Sequence, residues 1–299
     1  MLRANCKPSS FAGNADARSA FFKNCALACD ISRRFCNYLL SYRLSKLLKL
    51  TTGILLALAL QACHSNNNDN NDSSTINAGI YITGFVGKTT NIMEDGDAML
   101  WKGDEEIRLN QVETGGATGK SVFVSDNDVY VAGASHGGFY SGIPLPYSSA
   151  TLWKNGEEIS LAEHQHSSAE SVFILGDDTY VAGWIFRGPF TKPVAVLWKN
   201  GERIYLTDPD APTQSQAHSV FVQGRDVYVS GYTGMDEQYG DFPYFVTVWK
   251  NGEPTYLNNS PDGSGGWPTC LFVSGNDVYV GGREDAIDDK GERRTFTII

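Results

Sequence analysis

Four near-copies of one segment constrain this chain more than anything else in it: SVFVSDNDVYVAG (121–133), SVFILGDDTYVAG (171–183), SVFVQGRDVYVSG (219–231) and CLFVSGNDVYVGG (270–282). Tyr81, Tyr130, Tyr180, Tyr228 and Tyr279 recur at spacings of 49, 50, 48 and 51 residues, and each is followed three positions later by a glycine. Between them runs a second repeated segment, MLWKGDEEIRL, TLWKNGEEISL, VLWKNGERIYL and TVWKNGEPTYL, which fixes Trp101, Trp153, Trp198 and Trp249. A period near fifty residues specifies one supersecondary unit written several times, each copy burying its apolar surface against its neighbours.

Each unit reads as four short strands. In the third they are SVFIL, DTYVAG, VAVLWK and ERIYL, counted from Ser171. Asn155-Gly156, Asn200-Gly201 and Asn251-Gly252 suit the positive φ angles of a two-residue hairpin turn. Side chains alternate along a strand, so Val129 and Val131 face one way and Tyr130 and Ala132 the other. Apolar residues on both faces require cover on both faces. Stacked sheets in a solenoid or sandwich would meet that need, but four strands per fifty residues is the usual unit of a propeller.

The expected fold is therefore all-β: a β-propeller of about five four-stranded blades over residues 77–299, with eighteen strands rather than twenty. The first unit, 77–109, shows second, third and fourth strands. The last shows a first, a second and RTFTII in the third slot. Either Ser73–Asn77 supplies an irregular inner strand, or the chain is a truncated version of a larger ring.

The layout of QAHSVFVQGRDVYVSG (216–231) and the glycine pair of DVYVGG (277–282) resemble kelch-type propellers. Thr83, Ala132, Ala182 and Ser230 depart from that pattern at the first glycine, and the tryptophan falls in the third strand instead of the fourth. The chain is more similar to bacterial lipoproteins with repeated LWKNG units, a likeness that implies no defined activity.

The front end is a different kind of sequence. Arg43, Lys46 and Lys49 precede the uncharged stretch 50–62, which is too short to span a bilayer as a permanent anchor. With Leu60, Ala62 and Cys63 it resembles a bacterial lipoprotein signal peptide (43–62). That resemblance implies cleavage before Cys63 and acylation of Cys63, so that a membrane is a partner through the lipid. Residues 63–76, with HSNNNDNNDSS, read as a disordered tether. His64 and Ser65 follow the cysteine without an aspartate, which favours the outer membrane of the cell envelope. Residues 1–42 read as a mis-assigned start, with initiation expected between Leu39 and Arg43. Cys270 is the one cysteine beyond Cys63, so a mature chain beginning at Cys63 has no internal disulfide to form.

Net charge is −10, and residues 1–62 carry nine Lys/Arg against two acids. The body is thus strongly acidic and repels nucleic acid, which is not expected as a partner. The long second–third and fourth–first links share one rim and concentrate aromatic residues. From them come the candidate binding residues Trp184, Phe186, Phe190, Tyr232, Tyr239, Phe242, Tyr244 and Trp267. Lys120, Glu170, His218 and Thr269 differ at the place just before each first strand, where a propeller meets its channel, and Glu170 and His218 join the candidate list.

His164 and His166, with His218 as a third ligand, are weak candidates for a metal; no metal or cofactor is expected. MEDGDA (93–98) and SDND (125–128) lack the full calcium-loop layout. No phosphate loop, nucleophile elbow or zincin motif occurs. The preferred expectation is a membrane-anchored propeller that binds an envelope protein, peptide or glycan. The alternative is a polysaccharide-acting hydrolase or lyase using Glu170 with Asp208, Asp210 or Asp236.

Overall fold

The computed structural model describes residues 80–87, 96–110, 116–136, 139–140, 143–144, 148–162, 165–188, 191–234, 244–257, 265–287 and 293–298. Residues 1–42, the expected signal peptide (43–62), Cys63 and the expected tether lie outside them. No helix among the described residues is long and apolar enough to cross a membrane.

Strands follow one another as antiparallel meanders. The first sheet holds β1 (Tyr81–Gly87), β2 (Gly96–Lys102) and β3 (Glu105–Arg108). Then come β4 (Ala117–Ser125) and β5 (Asp128–His136), a separate two-stranded ribbon of β6 (Phe139–Tyr140) and β7 (Ile143–Pro144), and β8 (Ser148–Lys154) and β9 (Glu157–Ser160), which complete the second sheet. The third sheet is β10 (Ser167–Leu175), β11 (Asp178–Phe186), β12 (Pro193–Lys199) and β13 (Glu202–Tyr205). The fourth is β14 (Gln214–Gln223), β15 (Asp226–Gly234), β16 (Tyr244–Lys250) and β17 (Glu253–Tyr256). The fifth is β18 (Gly265–Ser274), β19 (Asp277–Ile287) and β20 (Arg293–Ile298). The arrangement is propeller-like and incomplete, with an inner strand wanting in the first sheet and an outer one in the last among the described residues.

Successive sheets pack face to face, and the first strands β4, β10, β14 and β18 touch in that order. The first three junctions are built the same way, and the fourth joins Tyr228 to Leu271 and Val273 without a tryptophan. Trp153 packs among Ala98 and Leu100 of the preceding sheet, Trp198 among Tyr130, Ala132 and Leu152, and Trp249 among Tyr180, Ala182 and Leu197. All three indoles are fully buried, and none of their N–H groups finds an acceptor among the described residues. Phe123, Phe173, Phe221 and Phe272 stack in sequence from one first strand to the next, with centroids 5.0, 5.1 and 5.3 Å apart. The hydroxyls of Ser121 and Ser171 accept the backbone N–H groups of Val172 and Val220 across the same junctions.

The repeated DxY and WKNG segments belong to one clamp. Asn155 takes positive φ at its turn and its Oδ1 accepts from Val129 N at 2.9 Å, while its amide donates to Asp128 at 2.7 Å. Lys154 pairs with the same aspartate at 2.8 Å and lies over the Tyr130 ring. Asp178, Lys199, Asn200 and Tyr180 repeat this arrangement, as do Asp226, Lys250, Asn251 and Tyr228. Hydrogen bonds from the lysine and the asparagine hold each of these carboxyls below the usual aspartate range. Solvent surrounds the clamps, so their value is register rather than large stabilisation.

First strands run longer than the repeated SVF core suggests, and β10 begins at Ser167 instead of Ser171. A bulge allows it. Pairing of β4 with β5 skips Lys120, and the equivalent ladders skip Glu170, His218 and Thr269. The bulge drives a carbonyl onto the facing strand, and only glycine fits beneath it. A Cβ on Gly183 would collide with Ser168 O and come within 2.9 Å of the Trp198 ring. This explains the glycine three residues after Tyr130, Tyr180, Tyr228 and Tyr279. Replacing Gly183 with Ala should destabilise the fold by about 1–3 kcal/mol in urea denaturation, whereas Gly188→Ala, whose Cβ would meet only the Thr191 methyl at 3.9 Å, should leave the midpoint almost unmoved.

Candidate functional site

The skipped residues sit near the starts of their strands, towards the rim that carries the long links. Lys120, Glu170 and His218 come from three consecutive first strands, freed from the ladder by the bulge and aimed at one another's neighbourhood. Lys120 Nζ donates to Glu170 Oε1 at 2.6 Å, and Trp184 Nε1 donates to the same oxygen at 2.9 Å. Burial alone would raise the Glu170 carboxyl, but the charge and hydrogen bond of Lys120 outweigh it, helped by His218, and hold the group below its ordinary value. Glu170 is therefore an ionised carboxylate largely withdrawn from water. His218 Nδ1 lies 2.7 Å from the Pro268 carbonyl, which can only accept, so that nitrogen carries the proton. Thr269 turns back to Gly281 O of its own sheet and is exposed.

Aromatic residues wall this floor on two sides. Trp184, Phe186 and His166 form one group, with centroids 4.9 to 5.7 Å apart. The other runs from His218 to Tyr232 at 5.5 Å, to Tyr244 at 4.9 Å and to Trp267 at 5.3 Å, where the Arg283 guanidinium caps the indole at 4.5 Å. Burial, with Tyr244 and Glu170 nearby, pushes the Tyr232 phenol well above its usual range, so it stays protonated. Gln214 donates to the Tyr244 hydroxyl at 3.1 Å. Behind Lys120, His136 is held neutral by burial and by the charges of Lys120 and His166, and its Nε2 makes no hydrogen bond among the described residues. His166 is depressed by burial too, and faces the Ser148 hydroxyl at 3.2 Å.

The structure thus brings Glu170, His218, Trp184, Phe186, Tyr232, Tyr244 and Trp267 to one rim. It corrects their setting: Trp184, Phe186, Tyr232, Tyr244 and Trp267 lie in strands, not loops. The bulge restores pairing on its far side, and β11 and β15 continue past the glycine. Phe190, Tyr239, Phe242 and His164 lie outside the described residues. His166 is engaged with Ser148 and its aromatic neighbours, and no group of three or more metal-ligating side chains occurs among the described residues. Asp210 pairs with Arg187, and Asp208 accepts from Asp210 N, both on the exposed surface; Asp236 is outside the described residues. Sequence reasoning passed over His136 and Arg283. The signal lay in the repeat: the first position after the glycine reads Ala134, Trp184, Tyr232, Arg283, and the third reads His136, Phe186, Gly234, Asp285.

At the level of sequence, the chain matches no protein-family model and no curated protein. Among solved structures it is similar to a Bombyx mori GH32 beta-fructofuranosidase mutant in complex with sucrose, at 9% identity and TM-score 0.35 over 68% of this chain and 52% of that one. A GH43_12 protein retrieved from capybara gut metagenome matches at 11% identity and TM-score 0.38 over 81% and 50%. The computationally designed Ika8 protein matches at 16% identity and TM-score 0.29 over 71% and 70%. The chain spans about half the length of the first two.

Replacing Lys120 with Met leaves burial unopposed by its main counter-charge. The Glu170 carboxyl should then titrate at higher pH than in the parent, as followed by carboxyl-carbon NMR shifts.

Proposed function

We propose that this rim binds a saccharide, with Glu170, Lys120 and His218 as the polar floor and Trp184, Tyr244 and Trp267 as stacking faces. The observation that supports it is the state of Glu170: a carboxylate kept ionised and largely withdrawn from water, with Lys120 and Trp184 both donating to Oε1 and Ser168 beside it. Oε2 takes neither the Lys120 nor the Trp184 donor and is the proposed acceptor for a ligand hydroxyl, and half-buried aromatic faces on either side offer the apolar surface that sugar rings present on their C–H sides. Such a floor fits a neutral polyhydroxylated ligand better than a peptide or protein partner, because Lys120 and Glu170 cancel and one polar acceptor sits deep between rings.

Glycoside cleavage requires a protonated carboxyl as general acid beside a second carboxylate. Glu170 is held ionised, the state of the second partner and not of the acid, and Asp208 and Asp210 stand on the exposed surface with partners of their own, so binding rather than bond-breaking is the reading its environment supports. A glycan array followed by calorimetry tests this. The parent protein should retain a defined oligosaccharide, and Trp184→Ala and Glu170→Gln should each weaken it by about tenfold with the fold intact. Binding of peptides with no saccharide retained would overturn the proposal, and release of reducing ends from the retained sugar would replace it with the hydrolase.

We also propose that acyl chains on Cys63 hold this body at the envelope surface, which would place the rim among surface and periplasmic glycans. Intact mass of the mature chain should show a lipid-modified N-terminal Cys63; an unmodified residue there would remove the anchor.

A further inference from the structure

The interior junctions give a rule for what covers a blade face. The leading face of each sheet carries a third-strand tryptophan, and the trailing face of the sheet before it carries a second-strand tyrosine and a first-strand small polar residue. Where the rule operates, everything at the seam is dry: Trp153, Trp198 and Trp249 are 0% exposed, and Ser121, Ser171 and Ser219 each 2%.

Two faces break the pattern, one at each end of the array. On β2 of the first sheet, Trp101 and Met99 occupy the leading face, and both are half-buried. Their equivalents two residues apart on the other sheets are Thr151 with Trp153, Val196 with Trp198 and Thr247 with Trp249, all at 1% or less. At the other end, Cys270 stands in the serine position of the fifth sheet and is exposed. Tyr279 there is half-buried, as Tyr81 is in the first sheet, whereas Tyr130, Tyr180 and Tyr228 are 5–8% exposed. Among the described residues, one tryptophan face, beside the buried Ile82, and one tyrosine face are thus only partly covered. Each is built like one side of the seams between the second and third and the third and fourth sheets, so each is complementary to the other. Among the described strands, the first sheet packs on the second and the fifth on the fourth.

We propose that the occupant of each face is a second copy of this chain, docked head to tail, with Trp101 of one copy packed on the Cys270 and Tyr279 face of the next. Such a contact is heterologous. It joins unlike surfaces, and copies associate until the rotation closes. The chemistry of the partner is set by the interior seams: an indole from the leading face, a tyrosine ring and a small side chain from the trailing face. A two-fold contact of like faces would put indole against indole, which no interior junction does.

The test uses the purified full-length chain, with mass measured by light scattering after gel filtration over a range of concentrations. The parent should run as a dimer or larger, with mass rising with concentration. Trp101→Glu and Cys270→Glu should each run as monomers. Neither position lies in an interior junction, so both variants should keep the parent's circular dichroism and thermal midpoint. An equimolar mixture of the two should recover a dimer, because one intact tryptophan face then meets one intact tyrosine face. A parent that stays monomeric at every concentration overturns the proposal. So does a mixture that stays monomeric, which indicates contact between like faces. A Trp101→Glu chain that loses thermal stability without changing mass shows closure within one chain and also overturns it. Saccharide binding by either monomeric variant is read separately, so failure here leaves the rim's ligand untouched, and the reverse.

Discussion

A carbonyl oxygen pressed against a glycine is the contact on which the rest of this protein depends. In the second to fourth sheets the first strand bulges at one residue, and the displaced carbonyl of Thr118, Ser168 or Gln216 sits over Gly133, Gly183 or Gly231. The contact does two things at once. It bends the inner edge so that successive first strands lie side by side, and it lifts one residue per sheet out of the ladder. Lys120, Glu170 and His218 owe their freedom to it, and the Lys120–Glu170 pair follows from it. Fold and site are two results of a single backbone irregularity.

Much of the architecture is legible because the repeats speak for one another. The spacing of tyrosines gives the number of sheets, the Asn-Gly pairs give the hairpins, and apolar residues on both strand faces give stacking. The strand count of the incomplete first and last sheets follows from which segments are present. Less legible is why WKNG and DxY are spelled as they are. Each reads alone as a turn or a strand end, yet Asp178 receives both Lys199 and Asn200 from a strand that begins more than a dozen residues later. Covariation between two segments of one repeat is invisible when every copy carries both.

The site was legible in its residue types and misplaced in its setting. Trp184 and Tyr232 stood out as aromatics beyond the glycine, but the glycine looks like a strand terminus. Seen with the bulge, it is a mid-strand position, and the pairing runs on through Trp184–Ser168 and Tyr232–Gln216. A bulge leaves no mark in a single strand's alternation beyond one residue out of phase, and Glu170 preceding SVF is that residue. Arg283 escaped notice for a related reason: it is aromatic in no copy's sense, yet it occupies the Trp184 and Tyr232 position and meets an indole from across the ladder.

The buried indoles of the seams have one more consequence. Their N–H groups find no acceptor among the described residues, whereas each ring is fully enclosed, so size is what the packing at the position uses. A bicyclic ring two rotatable bonds long is nearly incompressible, and it serves as a gauge that holds neighbouring sheets at one separation and one angle. With the same gauge at three successive seams, three neighbouring pairs of sheets are held alike. Changing that residue at one seam would then shift every sheet beyond it.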